Sequence, residues 1–286
     1  MHIADLFAQE GLPVSFEIFP PRGELATEEA RTVISQLAPL APSFVSVTYS
    51  AGGSSNSSRT IDVASVAKRD FNLTTMAHLT CMGAREADVD AYLRALKMTG
   101  VENVLALRGD PVAGREPLDF KYAKDLIPRV KKAGFCVGAA AYPEGHIDCL
   151  DFDANIEHLK QKQNAGADFF VTQLFFDNQY AYRFLEAARA AGITVPITFG
   201  IMPFLSKQQI SRMVFMCGAS LPSPIVKLLA RYENDRAALQ AAGIDYACKQ
   251  LVDLAEHGID GVHVYTMNKP QIARAATEAL APYRKG

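Results

Sequence analysis

The stretch TTMAHLTCMGAREADVDAYLRALKMTGVENVLAL, Thr74–Leu107, holds two strand-like runs with one helical run between them. Thr74–Thr80 is short and mostly apolar, as a buried strand is. From Arg85 to Thr99 the period changes: Val89, Leu93, Leu96 and Lys97 fall on one mostly apolar helix face. Gly100 follows, where a helix end favours a left-handed residue, and Val104–Leu107 is the next strand. The spacing of about thirty residues from strand to strand is the size of one strand–helix unit.

The same unit recurs along the chain. Further strands are expected at Val14–Phe19, Phe44–Tyr49, Phe135–Ala141, Phe169–Phe175, Ile197–Ile201 and Val262–Thr266. Helices are expected at Thr27–Leu40, Arg59–Phe71, Tyr122–Ala133, Asp153–Ala165, Tyr180–Ala191, Lys207–Met216, Ile244–His257 and Lys269–Leu280. Alternating strands and helices imply parallel strands joined by right-handed crossovers. Eight strand candidates favour an α/β fold of the (β/α)8 TIM-barrel type over an open sheet. An extra helical insert, around Pro224–Ala242, fills the long gap before strand eight. With no low-complexity linker, residues 1–286 read as one catalytic domain. An open doubly wound sheet would announce a nucleotide with GxGxxG after its first strand. Here that strand runs into PPRGE, and SAGGSS (Ser50–Ser55) lacks both the spacing and a P-loop lysine.

Charged residues make up 21% and the net charge is −2, which disfavours nucleic acid as the main ligand. The five cysteines are scattered, odd in number and without CxxC, so a disulfide framework or structural zinc is not expected and a reducing cytoplasm fits. No basic-then-apolar signal opens the chain, and no apolar run is long enough to span a bilayer, so no membrane association is expected.

Unusual polar residues collect at the expected C-terminal ends of the strands, where α/β barrels hold their active sites. These are Thr48 and Tyr49, His78 and Thr80, Arg108 and Asp110, Tyr142, Glu144 and His146, Thr172 and Gln173, then Tyr265, Asn268 and Lys269. Each also has a plain reading, such as an Arg108–Asp110 pair closing a loop. Strand one is VSFEIFPPR, Val14–Arg22, with a glutamate in an apolar run. Val14, Phe16 and Ile18 share one face and suit packing against helices; Ser15, Glu17 and Phe19 share the other and point into the barrel. An unpaired inward charge is expensive, so Glu17 is either half of a buried ion pair or a working acid.

The histidines lack the HxH pairing of a barrel metallohydrolase, and no metal site is expected. No strand interior carries a Schiff-base lysine. Glu17 and Asp110 could serve a glycosidase, but a chain without tryptophan is poor in sugar platforms. One acid among amides, hydroxyls and aromatic rings suits a flat heteroaromatic ligand or a cofactor that carries the hard chemistry.

Eight blocks, SFEIFPPR, VSVTYSAGGS, AHLTCMG, NVLALRGDP, AAYPEGH, GADFFVTQLFFD, GIMPF and GVHVYTMNK, stand in order over about residues 14–270. In these the chain resembles the 5,10-methylenetetrahydrofolate reductases, bacterial type, catalytic barrel only. The resemblance implies an FAD-dependent enzyme that takes hydride from NADH or NADPH in a ping-pong cycle and passes it to methylenetetrahydrofolate. It implies Glu17 as the general acid at folate N10, helped by a pKa raised through partial burial, and Asp110 as a carboxylate near flavin and pterin. It implies FAD contacts at Thr48, Tyr49, His78, Leu107, Arg108, Gly109, Asp110, Tyr122, Ala123, Tyr142, His146, Asn155, His158 and Lys162. Folate contacts are implied at Glu17, Asp110, Gln173, Tyr265 and Lys269. A homo-oligomer is the family's expectation. Two other readings stay open: a flavin-independent reductase, and a non-catalytic folate- or flavin-binding barrel.

The chain departs from the family at a few positions. Asn155 stands where many relatives carry aspartate, Lys269 where arginine is common, Lys207 near a position that some fill with an aromatic, and Ile18 where Phe is frequent. Lysine keeps the charge of arginine but loses its planar fork.

Overall fold

The computed structural model describes residues 1–21, 26–49, 54–110 and 117–284. Arg22, the glycine-rich residues 50–53 and the segment 111–116 lie outside the described residues. Eight parallel strands close into a barrel in sequence order. They are β1 (Val14–Ile18), β2 (Phe44–Val47), β3 (Thr75–Thr80), β4 (Asn103–Leu107), β5 (Cys136–Ala141), β6 (Phe169–Thr172), β7 (Ile197–Ile201) and β8 (Gly261–Tyr265). The closing seam pairs Val14 with Val262 and Glu17 with Tyr265. Around the barrel run α1 (Ala26–Leu37), α2 (Ser54–Arg69), α3 (Glu86–Met98), α4 (Ala123–Lys132), α5 (Phe152–Asn164), α6 (Asn178–Ala190), α7 (Lys207–Cys217), α8 (Ser223–Arg231), α9 (Arg236–Glu256) and α10 (Pro270–Ala279).

The expected strands are all present, most of them trimmed at their ends, and two helix boundaries differ for physical reasons. The first helix stops at Leu37 and passes into a 3-10 turn, Ala38–Leu40; Pro39 cannot donate the next helical hydrogen bond. The expected insert resolves into α8 and the beginning of α9, which Asp235 caps by accepting from the Ala238 N–H. α9 then continues through Gly243, because its missing side chain lets the helix rest on the backbone of Phe204.

Alternation along each strand sorts the cores. Val14, Phe16 and Ile18 of β1 join Val45, Val47, Val104 and Ala106 in the layer beneath the helices. Their burial stabilises each strand–helix contact by about 1.5–3 kcal/mol per large side chain. The opposite faces fill the barrel. Its floor is apolar: Phe44, Met76, Leu105, Phe169 and Val171 pack with Ile3 and Leu6 of an N-terminal 3-10 helix. A Cβ at Gly138 would lie 2.7 Å from the Phe169 ring, so that glycine makes room for the ring at the centre. Asn103 ties the plug down, its Oδ1 accepting from the Ile3 N–H at 2.8 Å. The interior is therefore packed at its N-terminal end, and polar groups are left to the upper layers.

Candidate active site

Glu17 is inward on β1, with its side chain 17% exposed. Two imidazoles flank it. His78 Nε2 on β3 and His263 Nε2 on β8 each lie 3.9 Å from Glu17 Oε2. That is too long for a hydrogen bond, yet close enough for each charge to act on the others. His78 Nε2 is buried and has no hydrogen-bond partner among the described residues. Burial lowers the His78 pKa to about 4, against the opposing pull of the Glu17 carboxylate. His78 is thus a neutral ring at ordinary pH.

His263 is held at both nitrogens. Ser15 Oγ donates to the Val262 carbonyl at 3.0 Å, and its oxygen lies 2.7 Å from His263 Nδ1. With the serine proton so used, Nδ1 carries the hydrogen and donates to Ser15. Nε2 then accepts from Ser46 Oγ at 3.1 Å, on the edge of the ring that lies 3.9 Å from Glu17 Oε2. The Glu17 carboxyl group thus lies between a neutral ring, His78, and a ring clamped at both nitrogens, His263.

A second group of residues gathers at the ends of β4 and β5. Lys162 reaches in from α5, donates to the Ala140 carbonyl at 2.8 Å and lies 5.2 Å from the Tyr142 ring centre. The residue is half-buried but its ammonium end is enclosed; burial first, then the Arg108 charge, lowers its pKa to about 8. Arg108 donates to Asp148 Oδ2 at 2.9 Å, so its carboxylate partner is Asp148 and not Asp110. The His146 ring stands edge-on to Tyr142 at 4.7 Å and accepts from the Asp148 N–H. Burial, then Arg108, lowers the His146 pKa, and burial pushes the Tyr142 phenol up to about 12. Gly109 has φ +83°, and a Cβ there would meet Thr80 at 3.0 Å. Two cations, one of them over an aromatic ring, and a crowded glycine turn are groups that could hold an anion joined to flat groups. Asp110 is exposed at the rim, and its charge reaches Tyr142, His146 and Cys217.

The remaining residues of the expected set fall as follows. Thr48 and Tyr49 lie just beyond the end of β2, with Tyr49 edge-on to Tyr92 at 5.8 Å. Leu107 ends β4, Tyr122 is the exposed N-cap of α4, and Ala123 is buried at its first position. Asn155 is buried and donates to the Tyr142 carbonyl at 3.0 Å, so its amide buttresses the β5 loop. His158 is exposed on α5, and Lys269 is exposed at the N-cap of α10. Lys207 pairs with Glu233 at 3.4 Å. Gln173 follows β6; its Oε1 accepts from the Leu174 N–H at 2.9 Å, and its NH2 has no acceptor among the described residues. Tyr265 Oη donates to the Thr172 carbonyl at 2.7 Å. Glu144 straps two loops together: its Oε2 accepts from the Ser220 N–H at 2.9 Å, and burial raises its pKa. Sequence reasoning passed over His263, Ser46 and Asp148. His263 had a signal, since it shares a face with Tyr265 two residues on in GVHVY.

The family profile described as Methylenetetrahydrofolate reductase matches residues 2–281. The chain belongs to the methylenetetrahydrofolate reductase family. It is 33% identical over 274 residues to the 5,10-methylenetetrahydrofolate reductase of Pectobacterium carotovorum, covering 95% of this chain and 91% of that protein. It is 34% identical over 280 residues to Methylenetetrahydrofolate reductase 1 of Schizosaccharomyces pombe, covering 95% of this chain. The chain spans about half of that longer relative, 46% of its length. Among solved structures, a protein of Clostridium thermocellum that binds two copies of 5-methyl-5,6,7,8-tetrahydrofolic acid superposes with a TM-score of 0.68. That match covers 99% of this chain and 100% of the other at 14% identity, a likeness of fold.

Proposed function

We propose that this chain reduces 5,10-methylenetetrahydrofolate to 5-methyltetrahydrofolate, with FAD as its bound redox group and NADH or NADPH as hydride donor. The observation that carries the reading is the position of Glu17, a carboxyl group on the inward face of β1 flanked by two imidazoles at 3.9 Å. Opening the five-membered ring of this substrate breaks a carbon–nitrogen bond and requires a proton at N10. Glu17 would hold that proton and release it to N10 as the bond breaks. His78 and His263, both inward, would exclude water from the carboxyl and keep its surroundings polar.

FAD, when bound, accepts two electrons from the nicotinamide and supplies them to the folate carbon. The residues fit such a group. Lys162 and Arg108 would hold its diphosphate, Tyr142 and His146 would flank its flat parts, and the Gly109 turn admits close backbone approach. Asp110, on the rim, would meet the amino groups of the pterin, and the NH2 of Gln173 would donate to an acceptor on the same ring. Plant relatives of the family are named for NADH, for example in Arabidopsis thaliana, which makes NADH the first donor to try.

Anaerobic titration of the purified protein with NADH and with NADPH tests the reading. Bleaching of the flavin bands, followed by their return on adding methylenetetrahydrofolate, is the expected result. Folate reduction by a protein without flavin would favour the flavin-independent alternative, and a protein inert to donor and folate alike would favour a binding barrel.

A further inference from the structure

Tyr265 lies across three neighbouring strands of the barrel wall. It starts on β8, crosses over Gly200 of β7 and ends at the carbonyl of Thr172 on β6, to which its hydroxyl donates at 2.7 Å. The crossing depends on glycine. A Cβ at Gly200 would lie 2.6 Å from the Tyr265 ring, 2.7 Å from its hydroxyl and 2.4 Å from the Thr172 oxygen. The Gly200 N–H also donates to Thr172 Oγ1 at 2.8 Å. Thr172 is thus gripped at its side chain by β7 and at its carbonyl by β8.

The Thr172 carbonyl belongs to the peptide whose nitrogen is that of Gln173, and this N–H donates to the Ala141 carbonyl at 2.8 Å. β6 ends at Thr172, so beyond this peptide no strand pairing orients the backbone. The Gln173 side chain is folded onto the next residue, with Oε1 accepting from Leu174 N–H. The direction of its NH2 therefore depends on the peptide that Tyr265 anchors. The Tyr265 hydroxyl has spent its proton on that anchor and has none to offer a ligand.

We infer that Tyr265 is a positioning residue, which fixes the Thr172–Gln173 peptide through the gap left by Gly200 and so aims the Gln173 amide at the substrate. The claim that the amide meets a folate rests on the function proposed above; the claim that Tyr265 aims it does not. Two measurements keep these apart.

The first needs no substrate. Side-chain amide signals in a 15N–1H NMR spectrum are assigned to Gln173 by their absence from Gln173→Ala. In Tyr265→Phe they should move toward the position of a free amide and broaden, with the fold retained. Gly200→Ala should do the same, since its Cβ must push the ring aside. Signals unmoved in Tyr265→Phe overturn the inference. The second is a double-mutant cycle on the Kd of 5-methyltetrahydrofolate. Tyr265→Phe should weaken binding by about five- to tenfold, the loss of one hydrogen bond, and the double variant with Gln173→Ala should bind no worse than Gln173→Ala alone. Additive losses overturn the inference, because Tyr265 would then act independently of Gln173. Absence of folate binding in the unaltered protein, with the NMR result as expected, refutes the proposed substrate and leaves the aiming role standing.

Discussion

His78 Nε2 stands 3.9 Å from Glu17 Oε2 and, though buried, has no hydrogen-bond partner among the described residues. Burial penalises the charged form of this ring, so the folded state favours the neutral one. Its pKa is lowered from 6.5 to about 4. Between those values the unfolded imidazole binds a proton and the folded one does not. Stability therefore falls as the pH drops from 6.5 toward 4, and the loss levels off below that. Its ceiling is roughly 3 kcal/mol. Urea unfolding of the unaltered protein and of His78→Gln at pH 7 and pH 4.5 should show the two converging as the pH falls. Parallel losses in both would assign the acid sensitivity to other groups.

Glu17→Gln separates the two halves of the proposed cycle. The amide is nearly the same size and does not ionise, so the pocket should keep its shape. Flavin reduction by the nicotinamide should persist within a few-fold. Reoxidation by methylenetetrahydrofolate should slow by about a hundredfold or more, the usual scale of a lost general acid. Stopped-flow absorbance reads both steps on one sample, and an unimpaired second step would remove Glu17 from the chemistry.

Lys162 is an enclosed ammonium satisfied by one carbonyl and an aromatic face, next to a second cation. A group with its pKa lowered from 10.5 to about 8 costs the flavin-free protein up to about 3 kcal/mol at neutral pH. Lys162→Met should therefore raise apoprotein stability, by about 1–3 kcal/mol in urea unfolding. It should also weaken FAD binding by about ten- to a hundredfold, since a charge-assisted contact is lost. The unaltered apoprotein should recover the difference between pH 8 and 10.5, where the folded lysine is neutral and the unfolded one is not. A variant that gains stability yet binds FAD normally would take Lys162 out of the cofactor site.

Much of this was legible in the residues, because the strand period and the helix period are local. Alternation in VSFEI put Glu17 inside the barrel, and the polar run after each strand marked its open end. What resisted reading was pairing across the barrel. Arg108 stands two residues from Asp110, yet its carboxylate is Asp148, contributed by the loop after the next strand. Ser15 and Ser46 clamp His263 only because β8 closes onto β1, some 248 residues away in sequence for the Ser15 contact. Asn155, expected as an FAD contact, donates its amide to the Tyr142 carbonyl. No spacing rule encodes such partners; they follow from register and loop path.

Gly243 shows the same limit in a helix. Read alone, a glycine before Ile244 suggests a helix boundary, since glycine in a helix interior costs about 1 kcal/mol relative to alanine. In the fold it is buried within the 21 residues of α9, and a Cβ would fall 1.7 Å from the Phe204 carbonyl oxygen and 2.9 Å from its carbon. Those atoms are backbone, on the segment that leads from β7 into α7, and cannot swing away as a side-chain tip could. Gly243→Ala gains helix propensity and should nevertheless destabilise, by about 2–4 kcal/mol, because α9 must lift off that segment. The same displacement reaches the pocket. Phe204 packs with Met202, Leu174 and Tyr265, so folate binding should weaken along with the Tm, while the Arg108 and Lys162 end of the site keeps its affinity for FAD. Thermal unfolding and separate FAD and folate titrations of this one variant check all three. A variant as stable as the parent would mean that α9 and the β7–α7 segment have more freedom than a 1.7 Å overlap allows.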